Sequence, residues 1–357
     1  MEETKRRKWI MLLWAFLVLL VCSMYVGKCN KGRMELAVDN HKWDKLLLVL
    51  EQIDRNYVDS IDYNAVMEKV IPALMENLDP HSLYLPPTEL EAADESLEGN
   101  FSGIGIQFNV PADTAIVISV IGGGPSEKAG LLSGDRIVKV DGRTVAGVKM
   151  NQDSLVKLLK GPQGSKVHLE VKRDDLKELV PFDIIRDKIP VKSVDVSLML
   201  DNKLGYVKLS KFSKTSYREF MTAMIPLVAA GVESLIFDLR DNTGGYLDQA
   251  LLLSKEFLRS GEDIVYMEGL HRERQEFKAD GSGLLQDIDL YVLINETSAS
   301  SSEIFAGAIQ DNDRGTIVGR RSYGKGLVQE PIYFTDKSGI RLTVARFYTP
   351  TGRCIQK

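Results

Sequence analysis

Residues Asp289 to Gln310 read DLYVLINETSASSSEIFAGAIQ. The opening run, Asp289 to Asn295, is apolar and short enough for a buried strand, and Ser302 to Gln310 has helical spacing, with a serine-dense turn between them. A strand that hands over to a helix in this way is the unit of an α/β layer. The alternation recurs upstream. Gly205 to Leu209 precedes a helix at Tyr217 to Ala230, and Ser234 to Leu239 precedes one at Leu247 to Leu258. Strand-like Gly326 to Phe334 and Ile340 to Tyr348 follow. The pattern predicts a mixed, largely parallel sheet with flanking helices from about Ile189 onward.

The serine turn is also a place for chemistry. At a helix N-terminus, unpaired amides and the positive end of the dipole favour a developing oxyanion. Ser300-x-x-Glu303 also fits a capping box, and most serines in that pattern only cap helices. Serine is a poor nucleophile until a base takes its proton. The four histidines, His41, His81, His168 and His271, occur in unrelated contexts, there is no Gly-x-Ser-x-Gly elbow, and His81 reads as part of a turn. Lys325, between Gly324 and Gly326, is a different sort of base, provided that burial favours its neutral form. From a reference pKa of ~10.4, that takes on the order of 4 kcal/mol near neutral pH. Gln329 falls on the same strand face if the strand starts early, and its side-chain oxygen could orient the amine. Taken alone, Gly-Lys-Gly is a solvated turn.

Other motifs are weaker. Gly319 to Lys325 has Walker A spacing, but Gly326 stands where Ser or Thr is required and a strand follows. Ser154-x-x-Lys157 and Ser322-x-x-Lys325 lack the companion penicillin-binding motifs. Gly244 and Gly245 follow the apolar run Leu235 to Leu239, where paired glycines can bring main-chain amides close to a substrate carbonyl, or simply turn the chain.

Between Phe101 and Arg186 the texture is different: short strands at Ile104 to Val110, Ala115 to Val120, Asp135 to Val140, Lys166 to Lys172 and Glu178 to Arg186 surround helices at Pro125 to Gly130 and Gln152 to Leu159. This is a compact β-rich module of its own. Ahead of it, Trp43 to Tyr57 and Tyr63 to Leu78 have helical periodicity, and the acidic stretch up to Glu98 is also expected to be helical.

The chain has 357 residues, a net charge of −5 and a pI near 5.6, which leaves no basic footprint for nucleic acid beyond the extreme N-terminus. There Lys5-Arg6-Arg7-Lys8 precedes an uncharged, largely apolar run from Trp9 to Gly27. Nineteen helical residues rise roughly 28 Å, about the thickness of a bilayer's hydrocarbon. The run is expected to be an uncleaved single-pass inner-membrane anchor in preference to a removed signal peptide or a lipidated leader, with the catalytic part extracytoplasmic, in the periplasm. Cys22, Cys29 and Cys354 form neither a disulfide framework nor a metal-ligand set.

In this order the segments resemble the carboxyl-terminal processing (tail-specific) serine peptidases. Leu78-Asp-Pro-His-Ser82 with Tyr84-Leu85 is similar to their N-terminal signature. Phe101-Ser-Gly-Ile-Gly-Ile106, Gly130-Leu-x-x-Gly-Asp135 and Val140-Asp-Gly142 are similar to their PDZ domain. Asp238-Leu-Arg-x-Asn242-x-Gly-Gly245, Ser298-Ala-Ser-x-Ser-Glu303 and Gly324-Lys-Gly-x-x-Gln329 are similar to their protease motifs. Ser301, Tyr323 and Thr243 depart from residues common there, and members usually continue beyond this chain's last residue.

The resemblance implies an α/β protease core at 189–357, a PDZ domain at 101–188, an N-terminal helical region at 35–100 and the anchor within 1–30. It implies Ser300 as nucleophile, Lys325 as general base, Gln329 as its orienting partner, and an oxyanion hole of main-chain amides at Gly244 or Gly245 and at Ser301. It also implies that Gly103, Ile104, Gly105 and Ile106 present amides and apolar side chains to a peptide C-terminus. The expected partners are protein or peptide substrates with exposed C-termini, and the membrane. No cofactor is needed, and self-association into a homo-oligomer is left open. The alternative is a catalytically inactive PDZ peptide-binding adaptor; an acyltransferase or lyase on a related core is a weaker third reading.

Overall fold

A computed structural model of the chain describes residues 43–174 and 176–357. The Trp9 to Gly27 run, with Cys22 and Cys29, lies outside those residues. Among the described residues no helix is long and apolar enough to cross a membrane. The expected single-pass membrane location, with a periplasmic catalytic part, is corrected accordingly: it rested on the N-terminal run alone, and no described helix supplies a span.

The chain divides into two compact units, one ending at Met67 and the other running from Glu68 to Lys357. In the first, the helix Asp44–Asn56 buries none of its residues. The helix Tyr63–Met75 runs across the division.

The second unit contains the α/β core. Its main sheet has the spatial order Val194–Met199, Leu204–Leu209, Ser234–Asp238, Asp289–Ile294, Thr316–Gly319. The first two strands form an antiparallel hairpin, and every later junction is parallel. Asp201 closes the hairpin, its Oδ1 accepting the N–H groups of Lys203 and Leu204 at 2.8 and 2.7 Å. Parallel junctions need crossovers. The helices Ser216–Ala229, Leu247–Phe257 and Ser301–Asp311 supply them. Phe220, Phe237, Phe257 and Phe305 lock these layers edge to face, with centroids 5.1 to 6.1 Å apart. Each such side chain contributes about 1.5–3 kcal/mol by burial.

A second, antiparallel sheet joins Leu83–Leu85, Gly339–Tyr348, Asp263–Gly269 and Arg272–Lys278, and Leu327–Tyr333 pairs along Gly339–Tyr348. The helix Ser301–Asp311 packs against both Asp263–Gly269 of this sheet and Thr316–Gly319 of the first. Covered from several directions, it buries Ser301 through Ala306 consecutively, which explains a helix sequence with no polar face.

The β-rich module is an antiparallel sheet in the order Ile106–Asn109, Ala115–Val120, Arg136–Val140, Lys166–Lys172, Val180–Ile185, with Arg143–Thr144 added beside Arg136–Val140. Val117, Ile137, Leu155 and Leu169 belong to its own core, separate from that of the α/β layers. It is entered through Asn100–Gly103 and left through Asp187–Pro190, and these two strands pair with each other.

Candidate active site

The serine turn contains four serines that look alike in sequence and differ in their surroundings. Ser298, Ser301 and Ser302 are buried. Their hydroxyls donate to the carbonyls of Leu239, Gly245 and Asn242 at 2.8, 2.9 and 2.9 Å. These three fasten the turn to the neighbouring strand end. Ser300 is half-buried and faces a cleft. Its backbone has φ 56° and ψ −114°, a region that costs a non-glycine residue about 1–3 kcal/mol and persists only where its neighbours over-determine it. The rest of the turn is structural; Ser300 is the strained and accessible member.

Glu303 enforces that geometry. Its buried carboxylate accepts the N–H of Ser300 at 2.9 Å, of Gly324 at 2.7 Å and of Lys325 at 2.8 Å. The expected capping box between Ser300 and Glu303 is present, but the same carboxylate also reaches the loop that carries Lys325. Sequence spacing exposes the first bond and conceals the other two.

Lys325 lies across this carboxylate from the serine and lines the same cleft. Burial holds its amine below the usual lysine range, the positive charge of Arg341 adds to that, and Asp79 opposes it. The loop cannot carry larger residues at its flanks: a Cβ on Gly326 would stand 2.4 Å from Gln356 N. The Ser300 hydroxyl and the Lys325 amine share the cleft without a direct hydrogen bond among the described residues. Gln329 also lines the cleft, and its side-chain amide donates to the main-chain carbonyl of His81. His81 belongs to a turn built by Asp79, whose carboxylate accepts from His81 N at 2.8 Å, Ser82 N at 2.9 Å and Ser82 Oγ at 2.6 Å. The Asp-Pro-His-Ser segment thus supports Gln329 from below through a backbone atom, a role that residue types alone do not reveal.

Gly244 and Gly245 form the facing wall. A Cβ on Gly244, at φ 96°, would stand 2.8 Å from Ser300 Cβ and 3.0 Å from Ser301 N, so only glycine permits this approach. The Gly244 N–H already donates to Asn242 Oδ1 at 2.9 Å. The N–H groups of Gly245 and Ser301 have no protein acceptor among the described residues. The cleft, about 600 Å³ in volume, therefore brings together all six core residues singled out from the sequence.

In the β-rich module, Gly105 takes φ 78° and its carbonyl accepts from Ile121 N at 3.0 Å. The strand Ile106–Asn109 that follows is an edge of its sheet. Ile104 is 2 % exposed, inside the module's core, whereas Ile106 is only partly buried.

A turn-borne serine, a desolvated lysine and free main-chain donors in one cleft, beside a β-module with an open edge behind a glycine turn, define a serine-type peptidase with a peptide-binding domain. The profile of peptidase family S41 matches residues 203–357, and that of the PDZ domain matches residues 102–184. The carboxy-terminal processing protease CtpA of Bacillus subtilis is 33 % identical over 327 residues, covering 91 % of this chain and 69 % of that protein. A carboxy-terminal-processing protease of Bartonella bacilliformis is 34 % identical over 312 residues, covering 86 % and 71 %. The solved structure of a photosystem II D1 C-terminal processing protease superposes with a TM-score of 0.53 at 29 % identity, covering 88 % of this chain and 84 % of that one. The chain belongs to the carboxy-terminal processing proteases of peptidase family S41.

Proposed function

We propose that the chain cleaves polypeptides near their C-terminal tails with a Ser300/Lys325 dyad. The observation that carries this reading is the convergence of Ser300, Lys325, Gln329 and the Gly244–Gly245 wall on one cleft from distant parts of the sequence. Lys325, its charge disfavoured by burial, takes the Ser300 proton as Oγ attacks the scissile carbonyl, then returns it to the leaving amine. Gln329, held through His81, limits where the amine can swing. Since the Gly244 amide is engaged by Asn242, the oxyanion is received by the N–H groups of Gly245 and Ser301. Water releases the acyl-enzyme by the reverse proton traffic.

The Gly103–Ile106 turn receives the tail, its main chain taking the carboxylate and the open Ile106–Asn109 edge pairing with the peptide. Ile104 acts there through its backbone, because its side chain is committed to the core. An inert PDZ adaptor would need none of the features around Ser300. In the test, a folded protein with an unstructured, apolar C-terminal tail is incubated with wild type, Ser300→Ala and Lys325→Ala. Wild type truncates the tail, and each variant loses ~10³-fold or more while still binding it. Undiminished cleavage by either variant contradicts the dyad.

A further inference from the structure

The cleft contains a cation that this mechanism does not use. Lys211 follows the strand Leu204–Leu209 and lines the same cleft as Ser300 and Lys325. Its position is fixed by the main chain: Ser216 Oγ donates to its carbonyl at 2.9 Å. The next residue, Phe212, donates to the Gly244 carbonyl at 3.0 Å and accepts from Tyr246 N at 2.7 Å. Lys211 is thereby pinned beside the wall that carries the Gly245 N–H.

The cleft's other cations have assignments. Arg341 faces Asp94 at 3.5 Å, and Lys325 is the proposed base. Lys211 is half-buried, has no carboxylate within ion-pair reach among the described residues, and donates only to the neutral hydroxyl of Ser96, on the helix Pro87–Glu98. Burial alone depresses its pKa, with no neighbouring charge offsetting the loss of water. A partly desolvated ammonium bound only to a hydroxyl gains most from an anionic acceptor.

We propose that Lys211 is a specificity residue that receives a carboxylate of the bound substrate, either the free α-carboxylate of a short tail or an Asp or Glu side chain near the scissile bond. The inference rests on the peptidase reading of the cleft. The competing role is a latch that merely ties Ser96 and its helix across the opening.

The experiment uses paired peptides: free acid against C-terminal amide, and Glu against Gln at each position around the cleavage site. They are compared in wild type, Lys211→Gln, Lys211→Arg and Ser96→Ala, with kcat/KM measured. One acid/amide pair is preferred by wild type roughly tenfold or more, as for hydrogen bonds to charged groups; which pair it is identifies the carboxylate's source. Lys211→Gln brings that ratio close to one and leaves the neutral peptides within about twofold. Lys211→Arg keeps most of the preference, and Ser96→Ala keeps it all. A ratio unchanged in Lys211→Gln, or an equal fall for acid and amide peptides shared by Ser96→Ala, overturns the subsite. Binding of the same pairs to Ser300→Ala, with and without Lys211→Gln, is read in parallel. A Lys211-dependent preference in binding without cleavage by wild type would count against the dyad and not against the subsite.

Discussion

The two recognition regions of this molecule are built in opposite ways. In the β-rich module, the turn proposed to receive the tail is four consecutive residues, Gly103 to Ile106, and would work through the main chain. In the core, the cleft is assembled from segments as far apart as Gly244 and Gln329, and it combines side chains with free main-chain donors. Polar groups hold the residues that line it: Glu303 accepts from the Ser300 and Lys325 amides, Asn242 from the Gly244 amide, and the His81 carbonyl, in the turn built by Asp79, from the Gln329 side chain. The comparison teaches that contiguous main-chain recognition needs little beyond a correctly placed glycine. A dispersed set of reacting groups needs a second set of residues whose only work is alignment.

The sharpest way to break that contrast is to remove an aligning residue. Glu303→Gln keeps shape and size but loses the charge that three N–H groups share. Charged hydrogen bonds contribute ~1.5–3 kcal/mol each. Loss of even one from the aligned state lowers kcat by about ten- to a hundredfold, with KM for short peptides little changed. A fall in KM-dependent terms alone, measured by steady-state kinetics, would make Glu303 a binding and not a positioning residue.

A smaller effect is expected at the turn. Gly105→Ala places a Cβ at φ 78°, 2.9 Å from Ile189 Cδ1. It weakens tail binding by about five- to tenfold, the equivalent of roughly 1–1.4 kcal/mol of strain. Cleavage of short peptides that do not span both regions is unaffected. Equal losses on tailed and short peptides, compared by titration calorimetry and kinetics, would merge the two regions into one.

The smallest change is a displacement along the pH axis. In the proposed dyad the active form needs a neutral Lys325, so activity should rise with pH through the lysine's pKa. Arg341 depresses that pKa and Asp79 raises it. Arg341→Gln therefore moves the rising limb of kcat/KM to higher pH, and Asp79→Asn moves it to lower pH. Opposite or absent shifts in a pH–rate profile would assign the limb to another group. His81, itself held below its usual range first by burial and then by Lys325, is the first such group to examine.

The core's architecture was legible because its central strands are short apolar runs joined by periodic helices, and because the serine turn and Lys325 stand in glycine- and serine-rich contexts. Other strands carried no such signal. Arg272–Lys278 is almost wholly exposed and rich in charge, so no alternation marks it, and Leu83–Leu85 is too short to have a period. Thr316–Gly319 is likewise brief and mostly exposed. At the cleft, the sequence exposed Ser300, Lys325 and Gln329 and hid the bonds that hold them in place. Glu303 read as a helix cap because i to i+3 is visible in a string, whereas its bonds to residues beyond position 320 are not. The carbonyl of His81 has no residue-type signature at all, and Ile104, which read as a pocket wall, is buried in the module's core.

Finally, the pairing of Asn100–Gly103 with Asp187–Pro190 means that the module hangs from a two-stranded stalk. Its ends lie side by side, so excising residues 104–186 and bridging the gap with a two-residue turn leaves a plain hairpin behind. The peptidase layers should survive that excision intact, and modules with other appetites could be grafted onto the same stalk.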